Sequence, residues 1–384
     1  MTTTMVVSVE NASLALMAND TLYDAHHMMS SPTRMELFHA NYGRIHGYIC
    51  NVVCIFGVIS NILNVIVLTR RHMITPTNCI LTALAIADFL TMLTYLVFAT
   101  YFYIASDPAP GGHSAVWMYF ILVHNHFIIT CHNMAMWFTV SLAVFRYIFV
   151  CHHVIGNRLC SLNRAIMTIT IIVIATIVVC IPNYFLYKVV KLSEVPEGGN
   201  ISGYWIMDSD IVVEHTFYKV AIFWFFGVIM KVAPCILLTL LSSMIILTMH
   251  QASKRRVRLL QQTRSSDHDI NHEHNRTTWM LVSVVLFFVI TEMPQGILAM
   301  VSGLNEDFFK NIYTNLGDVL DLLVLLNSAV NFILYCIMSQ QFRDTFKNLF
   351  VVTWTCRPQT YGKVNGHHNG ITNYKSVNTE VTML

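Results

Sequence analysis

Glu292, Lys231 and His132 are ionisable side chains set inside three different apolar runs. A charge at the middle of a membrane-length helix costs about 2.5–3.5 kcal/mol on insertion scales, and by default it marks a functional site. Opposite charges that meet recover part of that cost, so a Lys231–Glu292 contact with His132 nearby is expected. That contact would either form the floor of a ligand pocket or simply fix helix packing. Glu292 lies in Thr291-Glu292-Met293-Pro294-Gln295-Gly296, where the proline frees backbone groups close to the charge. Two more carboxylates, Asp318 and Asp321, stand at i, i+3 on one helix face. A carboxylate there suits a guanidinium, which it can bind bidentately. Asp321 is the first choice for that role, and Asp318 can also be read as a solvated helix-start charge. Tyr101, Tyr103, Trp117, His124, His126, Trp224 and Gln295 are candidates for the remaining walls, each also readable as a belt or core residue. A separate polar group is expected around Asp88, with Asn61, Asn327, Ser328 and Asn331 satisfying the buried carboxylate or holding a sodium ion or water. Arg146, in Phe145-Arg146-Tyr147, reads either as a snorkelling anchor or as a switch contact.

The elements that must position these residues are long and apolar. The chain is 55% hydrophobic and 11% charged, against roughly 45–50% and about 25% in soluble domains. Apolar stretches recur at Gly47–Thr69, Asn78–Tyr103, Trp117–Val150, Ala165–Tyr187, Phe217–Met249, Thr277–Ser302 and Ile312–Met338. Each can span a hydrocarbon core of about 30 Å as a helix. The expected fold is therefore an all-α membrane protein, a seven-transmembrane helix bundle. Lys and Arg are concentrated in the first, third and fifth connections and in the tail, which predicts an extracellular N-terminus and a cytoplasmic C-terminus. Counted from the predicted inner helix ends at about 1.5 Å per residue, Glu292, Lys231 and His132 lie roughly 22, 27 and 21 Å deep, in one layer.

Residues 1–46 read as an extracellular segment and 47–338 as the bundle. Residues 339–350 read as an amphipathic membrane-surface helix, with Phe342, Phe346 and Leu349 on one face, and 351–384 as a disordered cytoplasmic tail. Sequons at Asn11, Asn19 and Asn200 fall on the predicted outer side and are expected to be glycosylated. Cys356 follows the surface helix closely enough to serve as a lipidated second anchor. Val381-Thr382-Met383-Leu384 fits a strand captured by a PDZ domain. The predicted outer connections contain no cysteine, so no disulfide can join them.

Asn61, Leu84-Ala-Ile-Ala-Asp88, Phe145-Arg146-Tyr147, Pro234, Phe288 with Pro294, and Asn327-Ser-Ala-Val-Asn331-Phe-Ile-Leu-Tyr335 occur in order, one set per span. With the Phe342-Arg343 surface helix, this series resembles the rhodopsin-like family of G-protein-coupled receptors from about Gly47 to Phe350. Departures narrow it. Phe145 stands where an acid usually precedes the arginine, Glu292 where tryptophan is usual, Phe332 where proline is usual, and Ile121 where a disulfide cysteine is usual. Together with Leu68-Thr-Arg-Arg-His-Met-Ile-Thr-Pro-Thr-Asn78, the pattern resembles invertebrate myosuppressin and FMRFamide-type neuropeptide receptors. The resemblance implies an amidated peptide ligand ending in Arg-Phe, a heterotrimeric G protein and arrestin-type regulators as partners, and plasma-membrane localisation. It also implies Arg146, Tyr147, Asp88, Asn331, Tyr335, Phe288 and Pro294 as switch or coupling residues. No cofactor is expected.

Rival classes fit less well. His268-Asp-Ile-Asn-His272-Glu-His274 and His152-His153 supply too few histidines for a membrane di-iron enzyme. No internal repeat supports a transporter, and the seventh span carries no lysine to hold retinal. A net charge of +2 gives no reason to expect nucleic acid. With Phe145 beside it, Arg146 lacks an adjacent carboxylate to hold it at rest, and His274 does not replace one. Phe145→Asp should therefore lower agonist-independent G-protein signalling, and indistinguishable basal signalling of the two proteins would contradict this reading.

Overall fold

The computed structural model describes residues 33–105, 113–152, 156, 158–191, 203–260, 286–287, 289–298, 300–302 and 308–352. The sequons at Asn11, Asn19 and Asn200, the switch candidate Phe288, Cys356, the His268–His274 run and the C-terminal four residues lie outside these.

The first helix runs Arg34–Leu68, beginning well before the apolar stretch that starts at Gly47. Thr33 sets that start. Its side chain accepts from the Glu36 backbone N–H, and the Glu36 carboxylate accepts from the Thr33 N–H, satisfying two donors that the first turn would otherwise orphan. The chain then makes a short 3₁₀ turn, Arg71–Met73. The second helix, Pro76–Ala99, is capped by Thr75 on the Asn78 N–H and begins with proline at a position that needs no donor. The third helix spans Ala115–Cys151 and the fourth Leu162–Cys180. The fifth begins as Thr216–Phe225, widens to a π-helical segment at Phe226–Val232, and continues as Ala233–Leu260. Pro234 follows the widened turn directly. It cannot donate to the ladder and its ring crowds the preceding turn, a local reason for the register change. The sixth helix is described over 286–302 apart from positions 288 and 299, and the seventh is Gly317–Met338.

Six helices among the described residues are long and apolar enough to cross a membrane. With the sixth helix the chain is an all-α seven-transmembrane bundle, a multi-pass membrane protein. Its solvation is inverted relative to a soluble domain. Val52, Ile59, Val116, Ile171 and Phe217 are exposed, whereas His46, Asn61, Asp88, His132 and Glu292 are buried. Such a distribution is stable only where the surrounding solvent is lipid and polar groups find protein partners.

Between the fourth and fifth helices lies an addition to the expected all-helical chain. Strands β1 (Tyr187–Lys191) and β2 (Tyr204–Asp208) pair antiparallel, with Val189 opposite Ile206. The Tyr204 N–H donates to the His113 carbonyl (3.1 Å), and the Ser209 N–H to that of Leu186 (2.9 Å). Lys188 pairs with Asp210 in the helical turn that follows. Leu186, Tyr187, Ile206 and Val212 are buried in one cluster with Met118 and Ile121 of the third helix. Ile121, where the resemblance leads one to expect a disulfide cysteine, belongs to this same cluster.

At the opposite end, a helix at Gln340–Lys347 buries Phe342 and Thr345. The His72 ring lies 2.8 Å from the Thr345 hydroxyl, and Arg343 donates to the Ile337 carbonyl (2.9 Å). The compact unit ends at Thr345, and a second unit from Phe346 contains the helical turn Asn348–Val352.

Two glycines of the first helix face the second-helix segment, and they differ in tolerance. A Cβ at Gly47 would fall on the Cβ of Tyr103, which cannot swing away, whereas one at Gly57 would meet the flexible end of Met92. Gly47→Val should cost about 1–3 kcal/mol by overpacking. Thermal unfolding of the detergent-solubilised protein should show a clear loss of stability for Gly47→Ala and a smaller one for Gly57→Ala. Equal tolerance at both sites would be the contrary result.

Candidate functional site

Near the hairpin end, Asp318 is buried and engaged. The Tyr103 hydroxyl donates to its Oδ1 at 2.8 Å, and His39 Nδ1 lies 3.8 Å from Oδ2. The reading of Asp318 as a solvated helix-start charge is therefore corrected. The first helix extends far enough outward, and the π-helical end of the second (Thr100–Ala105) carries Tyr103 far enough inward, to close over it. One turn deeper, Asp321 is also buried, and its Oδ1 has no hydrogen-bond partner among the described residues.

The central layer holds Glu292, His132 and Lys231. His132 Nε2 lies 3.2 Å from Glu292 Oε2, tying the third helix to the sixth inside the bundle. The expected direct Lys231–Glu292 contact is not formed. Lys231 Nζ is buried without a hydrogen-bond partner among the described residues, while Glu292 and Asp321 act on it electrostatically. The reason lies in the fifth helix. Lys231 sits within the π-helical segment, where an extra residue per turn shifts both height and facing from the ideal 1.5 Å and 3.6-residue geometry. Glu292 Oε1 and both amide atoms of Gln295 are likewise buried without partners among the described residues.

The wall candidates do not all converge. Tyr101 stacks on Trp117 (centroids 3.4 Å apart), and His124 lies between Phe98 (4.9 Å) and Phe120 (5.5 Å). His126 instead stacks on Tyr184 at 4.3 Å, beyond the end of the fourth helix. Trp224 is half-buried on the fifth helix. Sequence reasoning missed His39, Tyr42 and His46 because it began the first span at Gly47. His46 is fully buried, with Nε2 3.0 Å from the Tyr95 hydroxyl, and the Tyr42 ring packs on it at 5.4 Å. The capping box at Thr33-x-x-Glu36 was the signal that could have included them.

Deeper toward Arg146, the Asp88 cluster assembles as expected. Asn331 donates to Asp88 Oδ2 at 2.9 Å, and Asn61 donates to the carbonyl of Ser328 at 3.1 Å, with Ser328 lining the same small cavity as Asp88. A narrow cavity lined by Asp88, Asn327, Asn331, Thr139 and His132 joins this cluster to the central layer. Tyr335 is buried. Arg146 makes no ion pair among the described residues, and its Nε is buried without a partner there. It lines a cavity of about 370 Å³ with Phe145, Asn78, Cys160, Tyr335 and Phe342. Tyr147 packs on His152 at 5.7 Å, and Pro294 is exposed on the outer face of the sixth helix.

This arrangement offers unpaired polar groups in the half of the bundle nearer the hairpin, a buried polar column, and an unpaired cation at the far end. It suits ligand sensing coupled across a membrane. Residues 48–353 match the family described as serpentine type 7TM GPCR chemoreceptor Srw. The chain is 31% identical to the G-protein coupled receptor dmsr-1 of Caenorhabditis elegans, over 81% of this chain and 69% of that protein. It is 28% identical to the sex peptide receptor of Drosophila melanogaster, over 88% of this chain and 83% of that one. It is 25% identical to the FMRFamide receptor of the same fly, over 86% of this chain and 59% of that one. Bundle, polar column and match together identify the chain as a G-protein-coupled receptor of the seven-transmembrane Srw family, a receptor rather than an enzyme.

Proposed function

We propose that this receptor binds an amidated peptide ending in Arg-Phe at the hairpin end of the bundle and activates a heterotrimeric G protein at the Arg146 end. The carrying observation is the set of buried, unpartnered polar groups at Asp321, Lys231, Glu292 and Gln295 among the described residues. Each such group costs about 1–3 kcal/mol, more when charged. Holding four of them on the fifth, sixth and seventh helices makes sense if a ligand satisfies them. Asp321 is the residue for the peptide arginine, since a guanidinium can pair bidentately with a carboxylate. Asp318, already engaged by Tyr103, shapes the mouth of the site and holds the first, second and seventh helices together. Tyr101, Trp224 and His132 complete its walls and floor. The FMRFamide and sex peptide receptors among its relatives support a peptide ligand.

In this reading the N-terminus and hairpin are extracellular, with glycans on Asn11, Asn19 and Asn200, and the C-terminus is cytoplasmic. The distribution of Lys and Arg supports that orientation. Ligand contact at Glu292 and Lys231 shifts the sixth helix about Pro294 and Phe288. The shift passes through Asp88, Asn331 and Tyr335 to Arg146 and Tyr147, where G protein and arrestin-type regulators engage. Lipidation of Cys356 anchors the tail, and its last four residues dock a PDZ domain.

Cells expressing the receptor, read by G-protein dissociation, should respond to amidated peptides ending in Arg-Phe. Silence toward all of them would remove the ligand assignment. Asp321→Asn should reduce potency about 30-fold or more, corresponding to about 2 kcal/mol for one partner lost from a buried charge pair. Replacing the peptide arginine with citrulline should cost the wild type a similar factor and the Asp321→Asn receptor little. Independent, multiplying losses would contradict the pairing.

A further inference from the structure

We infer that Gln295 is the residue that reads the ligand's C-terminal carboxamide, with Glu292 and Lys231 completing the recognition, and so makes the receptor selective for amidated over free-acid peptides. This inference rests on the peptide reading above and assigns its other end. Gln295 is buried, yet neither its Nε2 nor its Oε1 has a partner among the described residues. The inference does not depend on which way the side-chain amide is oriented, because both atoms are unpaired. A side chain with two donors and one acceptor is matched by a group that presents the same set in reverse, and a primary carboxamide does so. The two amides form a cyclic pair, with each N–H₂ donating to the other's oxygen.

The neighbours fit what remains. Glu292 stands three residues earlier, on the same helix face, and its Oε1 has no partner among the described residues. It accepts the second N–H of the ligand amide. Gly296 brings the sixth helix against the fifth, since a Cβ there would lie 3.4 Å from Val232 Cγ2 and 3.8 Å from Lys231 Cβ. That close approach puts Lys231, whose Nζ has no partner among the described residues, at the same level as Gln295. Its ammonium donates to the ligand's carbonyl oxygen. A free carboxylate has no donor to offer. It would leave Gln295 Oε1 and Glu292 Oε1 facing oxygens, and would set a second carboxylate beside Glu292. A site built around buried hydrogen-bonding groups rejects an analogue that leaves them unpaired far more strongly than an apolar pocket rejects a lost methylene.

The test uses synthetic heptapeptides ending in Arg-Phe-amide, their free acids and their N-methylamides, on the full-length receptor with surface expression measured in parallel. On wild type the amide should exceed the acid by at least about 100-fold, within the discrimination of up to about 10⁴–10⁵ that a site built to hydrogen-bond its substrate can reach. Gln295→Met, similar in length and unable to donate, should bring that ratio within about tenfold through loss of amide potency. Where Gln295→Met fails to reach the surface, Gln295→Glu keeps the shape. Its amide response should weaken and its acid response vanish. Glu292→Gln should narrow the gap between primary amide and N-methylamide. Equal potency of amide and acid on wild type, an unchanged ratio in surface-expressed Gln295→Met, or acid potency gained in Gln295→Glu would overturn the inference. A response confined to amidated peptides lacking Arg-Phe, with the same dependence on Gln295, would remove the Arg-Phe assignment alone. Silence toward every amidated peptide would remove both.

Discussion

A charged group inside a helix bundle solvated by lipid has only protein to turn to. The contact between His132 and Glu292 answers that constraint at the centre of this receptor. It spans from the third helix to the sixth, so the two cannot separate at that level without exposing a carboxylate. Asp88 and Asn331 answer the same constraint one layer away, between the second and seventh helices. His132 lines the narrow cavity that also contains Asp88, which makes the two pairs one polar column. In the proposed reading, a ligand that competes for Glu292 acts on this column directly, because Oε1 of the same carboxylate has no partner among the described residues.

The two ends of the column are held differently. At the hairpin end, Asp318 gathers the first, second and seventh helices through Tyr103 and His39, and the hairpin shares an apolar cluster with Met118 and Ile121 of the third helix. At the other end, Arg146 lines a cavity with Phe145 and Cys160, and among the described residues it makes no ion pair and its Nε is unsatisfied. Among the described residues, the buried polar contacts thus run from the hairpin end to the Asp88 layer, and Arg146 lies beyond them.

Much of this was legible in the chain, for physical reasons that can be named. Run length alone reveals the spans, since hydrocarbon thickness sets a minimum that soluble helices seldom meet. The Asp88 cluster was legible because its members sit on regular α-helices, where counting turns gives true positions. Counting also put Glu292, His132 and Lys231 in one layer. It failed on which of them touch, because the π-helical segment at Phe226–Val232 breaks the count at Lys231. The first helix was begun too late because attention followed hydropathy, and Arg34–His46 is helical through its cap and its packing rather than its apolarity. Asp318 looked solvated for the same reason, as the residues that cover it come from that extension and from Tyr103. The hairpin is set by its contacts with the third helix, which no local pattern in Tyr187–Asp208 encodes.

The His132–Glu292 tie is the feature on which the proposed coupling depends, and a double-mutant cycle measures it most directly. His132→Phe, Glu292→Gln and the double variant would be compared for thermal stability in detergent and for agonist-independent G-protein dissociation. A direct contact predicts non-additive losses, with an interaction energy within about 0.5–3 kcal/mol and a double variant little worse than the worse single one. Losses that simply add, with basal signalling changed independently by each substitution, would contradict a direct tie between the third and sixth helices.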